Sequence, residues 1–596
     1  MHKFVTFVLF FLVSGLTLEA ADKNKMLKDL DIIKNTYEVK YAPAEWKKTY
    51  MGWDLDDQIN QAKSLIQIAG PLTVKDYQKI LHAFFISMND YHVHESYFST
   101  ELAILPFTVS GVNGKYFFSE VHRELLEVML EFGLYKGAEI PEVGNEILIF
   151  DSQPVYDAVQ DVKFREVGNS DSKTTEAIAE SFLTKRLGAL GHRVPEGINC
   201  IQFINNGGQL IEAEIEWFYN PESIASKSNK VKTQDKKTKR FGKVMINPTA
   251  QKLKGDFSQV YKKILGKRLK GKMNSAEIET KATKALDTTS LTLGKIIWKW
   301  KPNSLFDAYI YQLPNSKKRI AYIRLDTFYP SSDPEIVNAF AAEFAELVSF
   351  FQSKSDALVI NQVDNPGGWV FYVYGIASML SDKPLAVPAH RLCITQEDVA
   401  EAIDDLDGGL DDQKNNEEDD VDIITAMPGQ ENEIILGYAI DDNFEKGLKD
   451  FSEFIINEWN AGKTCTSLVY PYGVERLTPH PSARYTKPIL LIVDKSDFSG
   501  ADFFPAILQD NKRAIIFGEK TAGAGGFVST HNYPNQFGLE VYTYTASIAE
   551  RANGQTIENL GVTPDIAYEI TESDFRNGYK GYIKAINKAV EGMLRP

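Results

Sequence analysis

Between Ile296 and the C-terminus the chain repeatedly places a short, wholly apolar run ahead of a helical pattern. Few folds accept that alternation. Ala357-Leu-Val-Ile360, Pro488-Ile-Leu-Leu-Ile-Val493 and Ala514-Ile-Ile-Phe517 carry no polar side chain on either face. Such strands must be covered on both sides, which points to a parallel or mixed sheet with helical crossovers. Ile320 to Tyr329 reads as a further strand, and Pro334 to Phe351 as a helix with proline in its first turn. A helix is expected to start near Trp369, and Ser499 to Leu508 reads as another. Upstream the texture differs. Met26 to about Glu101 mixes helical patterns with aromatic-rich connections. Leu102 to Tyr219 has short β-type runs, with Gly144 to Val155 reading as strand, tight turn and small helix. The expected architecture is therefore α/β and multidomain: a helical region at 21–101, a β-rich domain at 102–219, a charged segment at 220–290 and a mixed α/β core at 291–596.

Charge marks two segments. The 596 residues hold 65 Lys and Arg against 81 Asp and Glu, a net −16. Lys227 to Lys272 has 16 basic residues and two acids, hence +14, so the remainder carries −30. Glu397 to Glu433 has 15 acids and one lysine, hence −14, and interrupts the core as a solvated acidic insertion. An acidic chain of this size argues against nucleic acid as a partner. Three cysteines without CxxC spacing fit neither a disulfide scaffold nor a zinc ribbon. At the N-terminus, Lys3, the apolar run Phe4 to Leu18 and the small pair Ala20-Ala21 read as a secretory signal peptide at 1–20. The run is too short to span a bilayer comfortably, so stable membrane insertion is not expected.

Three local motifs can carry chemistry. Ser499 lies in Lys495-Ser-Asp-Phe-Ser-Gly-Ala-Asp502, after a buried strand and at a helix start. There the Gly500 N–H would be free to face an oxyanion. The flanks depart from the G-x-S-x-G elbow, because Asp497 and Ala501 stand at the glycine positions; alone, such a serine is simply an N-cap. Asn365-Pro-Gly-Gly368 also follows a buried strand. It is a turn on its face and a second source of oxyanion donors if it meets Ser499. His92 sits in Asn89-Asp-Tyr-His-Val-His-Glu95. No H-E-x-x-H is present, and no cysteine is close, so no metal is expected there. The acidic insertion likewise offers no EF-hand register.

Taken in order, Tyr322-Ile-Arg-Leu-x-x-Phe328, Asn365-Pro-Gly-Gly368, the Ser499 junction, Gly518-Glu-Lys-Thr-Ala-Gly-Ala-Gly525 and Glu558-Asn-Leu-Gly-Val-Thr-Pro-Asp565 form a set. Together they resemble the tail-specific, or C-terminal processing, serine peptidase family. The resemblance implies a crotonase/ClpP-like mixed α/β protease core, and Gly144 to Val155 is similar to the family's PDZ-type module, so the β-rich domain should be PDZ-like. A secreted chlamydial branch fits more closely still, through Lys40-Tyr-Ala-Pro-x-x-Trp46, Gly52-Trp-Asp-Leu55, Asn89-Asp-Tyr-His92, Asp497 to Pro505 and Thr521 to Phe527.

One departure bears on mechanism. The family's usual loop, T-x-G-K-G, supplies a lysine base, whereas here Ala524 stands in the lysine's place. An alanine cannot take a proton, so another base is required. The resembling branch uses a histidine and a glutamate at positions matching His92 and Glu558. The resemblance then implies a Ser499–His92–Glu558 triad, with the N–H groups of Gly500, Gly367 and Gly368 as the oxyanion hole, no cofactor and no metal. Asp90 is a rival partner for His92, and His94 a rival base. Related proteases also carry an inhibitory, cleavable segment where the basic stretch lies. Its less charged part, from Gly242 and Lys243 to Gln251, is expected to cross the active site until cut. The expected protein is a secreted, self-processing serine endopeptidase and virulence factor, acting on protein substrates as a homodimer. Two other readings compete: a non-catalytic ligand- or peptide-binding protein on the same core, and an acyl-thioester enzyme, which export disfavours.

Overall fold

The computed structural model describes residues 22–223, 244–246, 283–284, 291–302, 304–407, 424–426 and 433–595. The signal-peptide expectation and most of the two charged segments lie outside them.

Four helices open the described chain: α1 (Lys23–Lys40), α2 (Ala44–Met51), α3 (Leu55–Ile68) and α4 (Val74–Ser87). Side-chain caps begin three of them. Asp22, Asp54 and Thr73 accept from amides of the first turn, and Thr73 forms a capping box with Asp76. The apolar faces of this group (Leu30, Ile33, Tyr37, Ile59, Ile66, Leu81 and Phe85) do not close on themselves. They pack with Phe537, Leu539, Tyr542 and Tyr544, which come from a distant hairpin of the C-terminal half. The strand Glu95–Tyr97 extends that hairpin by pairing antiparallel with Leu539–Thr545. The helical region is thus sewn onto the core, and the residues between α4 and Glu95 are carried with it.

The β-rich domain is an antiparallel sheet in which Lys115–Val121, Glu146–Phe150, Ile198–Ile204 and Leu210–Glu216 are successive neighbours. The helices Val155–Glu166 and Lys173–Leu183 pack on it. Its strand–turn–helix expectation holds in detail: Glu146–Phe150 turns at Asp151 and Ser152, both at positive φ, and runs through Gln153–Pro154 into the first of these helices.

The core is a seven-stranded mixed sheet. Lys295–Lys299, Ala308–Gln312 and Arg319–Arg324 form an antiparallel edge. Arg319–Arg324, Ala357–Asn361, Ile489–Val493, Ile515–Gly518 and Ile566–Ala567 continue it in parallel. Ala357–Asn361 and Ile489–Val493 are buried throughout, as two-sided coverage demands. On one face lie the helices Pro334–Lys354, Val370–Ser378 and Gly500–Asp510, and on the other the C-terminal helix Lys580–Met593. One strand is shorter than its sequence suggests. Arg319–Arg324 stops five residues early because the chain peels away to bridge Phe328 to Gly368. There Phe328 N donates to Gly367 O at 2.8 Å and Trp369 N to Phe328 O at 2.8 Å, which fixes the glycine turn beside the sheet.

Candidate active site

Leaving the buried strand Ile489–Val493, the chain enters the helix Gly500–Asp510 through a sharp turn. Ser499 stands at its corner with φ 59° and ψ −113°, a region that L-residues rarely adopt. Neighbouring groups over-determine this conformation. Ser499 N donates to Asp502 Oδ2 at 2.7 Å, and Phe498 N to Asn365 O at 2.9 Å. Asp502 is the hub, accepting also from Thr521 Oγ1 at 2.5 Å, Gly523 N at 2.8 Å and Ala524 N at 2.9 Å. Burial pushes its carboxyl up to about 6 despite these donors. Ala524 is itself buried and, with Phe498 and Ala522, joins the apolar core of the β-rich domain. Where the family has a lysine base, this chain has a packing methyl.

The turn leaves the serine hydroxyl pointing at His92. Although 407 residues separate them in sequence, His92 Nε2 lies 2.8 Å from Ser499 Oγ, with both side chains buried. The His92 loop is fixed from several sides. Asp90 Oδ1 accepts from the His92 N–H at 2.9 Å, and Thr543 Oγ1 donates to His92 O at 2.6 Å. Asp90 Oδ2 accepts from Tyr41 Oη and Thr545 Oγ1. Asp90 therefore shapes the loop, and the structure gives it no bond to the imidazole. His94 is engaged elsewhere, its Nδ1 2.7 Å from Thr543 Oγ1, and Glu95 pairs with His82 at 2.6 Å. Burial lowers His92 to about 4, against a pull upward from Asp90, so its ring is a neutral base around pH 7.

The Asn365–Gly368 turn meets Ser499 as well. A Cβ on Gly500 would stand 3.0 Å from Gly368 N and 3.3 Å from Gly367 Cα, so the backbones approach as closely as glycine allows. A Cβ on Gly368, whose φ is 156°, would fall 1.9 Å from the Phe328 carbonyl carbon. Gly367 departs from expectation: its N–H donates to Asn365 Oδ1 at 2.9 Å and is already spent. Gly500, as the first helical residue, has an N–H without an intrahelical acceptor. The Gly500 and Gly368 backbones thus meet beside Ser499.

Glu558 is fully buried, but its carboxylate is bonded to partners other than His92. Oε2 accepts from Gly525 N at 2.9 Å, and Oε1 from Lys47 Nζ at 2.5 Å. His92 Nδ1 is buried without a protein partner among the described residues. The structure therefore brings Ser499, His92, Gly500 and Gly368 together, and sets Glu558 in the same buried cluster through Lys47. Sequence reasoning passed over Lys47, because a lysine on an amphipathic helix reads as solvent-facing. Its position directly after the Lys40-to-Trp46 motif was the available signal.

A second feature enters the cleft. Gly242, Lys243 and Gln251 lie outside the described residues, but Val244–Ile246 between them forms a strand antiparallel to Gly367–Trp369, with Met245 opposite Gly368. Val244 also pairs with Val528 on the other side.

The chain is similar to several known proteins. The profile of peptidase family S41 matches residues 319–568, and that of a PDZ domain matches residues 101–225. A protein of Chlamydia muridarum (strain MoPn / Nigg) is 32% identical over 95% of this chain and 92% of its own length. The crystal structure of mature CPAF superposes with a TM-score of 0.75 at 28% identity, covering 96% of this chain and 98% of that one. A carboxyl-terminal-processing protease of Synechocystis sp. (strain ATCC 27184 / PCC 6803 / Kazusa) is 30% identical over 135 residues, 22% of this chain and 31% of its own.

Proposed function

The chain belongs to peptidase family S41 and is a serine peptidase, and from that premise we propose a secreted endopeptidase, made as a self-processing zymogen, that cleaves proteins through Ser499, His92 and Glu558. The observation that carries the reading is the 2.8 Å approach of His92 Nε2 to Ser499 Oγ in a buried setting that keeps the imidazole neutral. On this reading Nε2 takes the hydroxyl proton as Oγ attacks the scissile carbonyl carbon, and the Oγ–C bond forms. The carbonyl oxygen, now negative, faces the Gly500 N–H at the helix N-terminus and the Gly368 N–H. His92 returns its proton to the leaving amine as the C–N bond breaks, which leaves an acyl-enzyme on Ser499. Water then repeats the sequence and releases the carboxylate product. Glu558 supports the imidazolium that forms in each half-reaction.

The zymogen part of the proposal is supported by the strand Val244–Ile246. A peptide substrate would reach Ser499 by adding a strand beside Gly367–Trp369, and Val244–Ile246 already holds that edge. Cutting the chain on either side of the strand would release it. Secretion rests on the Phe4-to-Ala21 pattern. Among the described residues no helix is long and apolar enough to cross a membrane. The proposal extends to a homodimer, which light scattering of the processed protein would report.

The test is incubation of purified protein with casein and with a fluorophosphonate probe, beside Ser499→Ala. Casein cleavage and labelling by the unaltered protein, both lost in the variant, are expected. A protein that neither labels nor cleaves after removal of residues 227–272 would overturn the reading.

A further inference from the structure

Lys47 is a lysine with no exposed surface, and its surroundings account for all three of its N–H donors. Nζ donates to Glu558 Oε1 at 2.5 Å, to Asn559 Oδ1 at 2.8 Å and to the Asn89 carbonyl at 3.0 Å. The two backbone turns so joined are those that carry the proposed machinery. Asn89 opens the turn leading to His92, and Glu558-Asn559 is the turn bearing the carboxylate. The clamp is reinforced by Asn559 Nδ2, which donates to the same Asn89 carbonyl at 2.8 Å, and by Trp46 Nε1, which donates to Asn559 Oδ1 at 3.2 Å. Lys47 is not placed as a substitute for the missing family lysine, since all three of its donors are taken by this clamp.

We propose that Lys47 is a positioning residue of the active site, holding the Glu558 carboxylate ionised and in place and thereby setting the acidic limit of catalysis. The inference rests on the triad reading above.

Two physical facts support it. A buried lysine–carboxylate pair costs desolvation on both sides, and well-packed apolar residues often serve stability as well, so the pair is poorly explained by stability alone. The groups facing Glu558 also leave Lys47 as its cationic partner. Asp90, on the turn after α4, opposes its ionisation, and Tyr41 and Tyr91 lie within electrostatic reach as neutral phenols. Burial and then Asp90 push the Glu558 carboxyl up to about 7 even with Lys47 working in the other direction. His92 stays neutral at far lower pH, so Glu558 is the group that governs the acidic limb. Without the ammonium the carboxyl would hold its proton to higher pH and could not support an imidazolium.

The experiment is the pH–rate profile of the processed protein on a peptide substrate, for the unaltered sequence, Lys47→Met, Lys47→Arg and Glu558→Gln. An opposite charge at this distance moves a carboxyl by about 1–3 pH units, so the acidic limb of Lys47→Met should rise by about that much. Its rate should approach the unaltered plateau at the alkaline end, and Lys47→Arg should recover most of the shift. A limb that stays in place, or a loss uniform across pH, would overturn the inference. Because Lys47→Met leaves a buried carboxylate alone and can fail to fold, the pair is also removed together. Lys47→Met in a Glu558→Gln background should cost less than about twofold beyond Glu558→Gln, since Lys47 acts through that carboxylate. A large further loss would refute it. Failure of the triad reading looks different, because Glu558→Gln would then keep near-full turnover.

Discussion

At Ser499 a strained backbone and a dedicated set of hydrogen bonds coincide. A serine at φ 59° and ψ −113° costs of order 1–3 kcal/mol, and Asp502 and Asn365 hold it there. That conformation sets Oγ 2.8 Å from His92 Nε2. His92→Ala should therefore abolish peptide hydrolysis while the melting temperature stays within a few degrees, as Ser499→Ala should. Loss of a base or nucleophile removes several orders of magnitude of rate. Retained turnover in His92→Ala would transfer the role to His94, which the structure binds to Thr543 instead. A second expectation concerns Glu180, a buried carboxyl raised by burial to about 7. Its unfolded value is near 4.5, so between about 4.5 and 7 the native state binds more protons than the unfolded chain. Stability from this group is lost as pH rises through that window. Glu180→Gln, which imitates the protonated form, should raise the melting temperature at pH 8 and change it little at pH 5. Thermal melts at both values decide the matter, and equal effects at the two would contradict it.

At the scale of elements, the strand Val244–Ile246 pairs with Gly367–Trp369, the edge on which the proposed zymogen control rests. A three-residue strand has little stability alone, and here it is held by neighbours on both edges, Gly367–Trp369 and Val528. On the proposed zymogen reading, the basic sequence flanking it would be the chain that is cut, and the acidic Glu397-to-Glu433 insertion would be its counterpart in charge, through an attraction that salt would screen. The unaltered protein is expected to nick itself between about Pro221 and Ser290, seen as two fragments on a denaturing gel, while Ser499→Ala stays whole. Deleting Lys227 to Lys272 should give hydrolysis without a lag. Intact chain that is already fully active on a peptide would exclude this control.

Across the whole molecule the site depends on docking between regions far apart in sequence. The helices α1 to α4 bury Tyr37 and Phe85 against Tyr542 of the core hairpin, with ring centroids 5.8 and 5.7 Å apart. Tyr37 Oη reaches Thr543 O at 2.6 Å, the residue whose hydroxyl holds the His92 carbonyl. Truncating the central ring in Tyr542→Ala should cost about 3–5 kcal/mol by cavity formation. Because His92 travels with the helices, fluorophosphonate labelling of Ser499 should fall with it. A destabilised variant that labels at the full rate would show that docking and base placement are separable.

Much of this organisation is local and so could be read from the chain. Apolar runs without polar faces specify two-sided strands, Asp333 before Pro334 starts a helix, and Asp151-Ser152 makes a hairpin turn, because each depends on neighbours a few residues away. The serine at a strand–helix junction was visible for the same reason, whereas the alanine in the lysine's place was visible only through the family resemblance. The meeting of His92 with Ser499 could be expected only by resemblance, since 407 residues of chain carry no local signal of contact. Residue type alone could not reveal that Gly367 spends its N–H on Asn365, that Glu558 is held by Lys47, or that Val244–Ile246 lies against the glycine turn. Those pairings are decided by which donors and acceptors folding leaves buried together, because a buried polar group must take whatever partner the assembled backbone puts within reach.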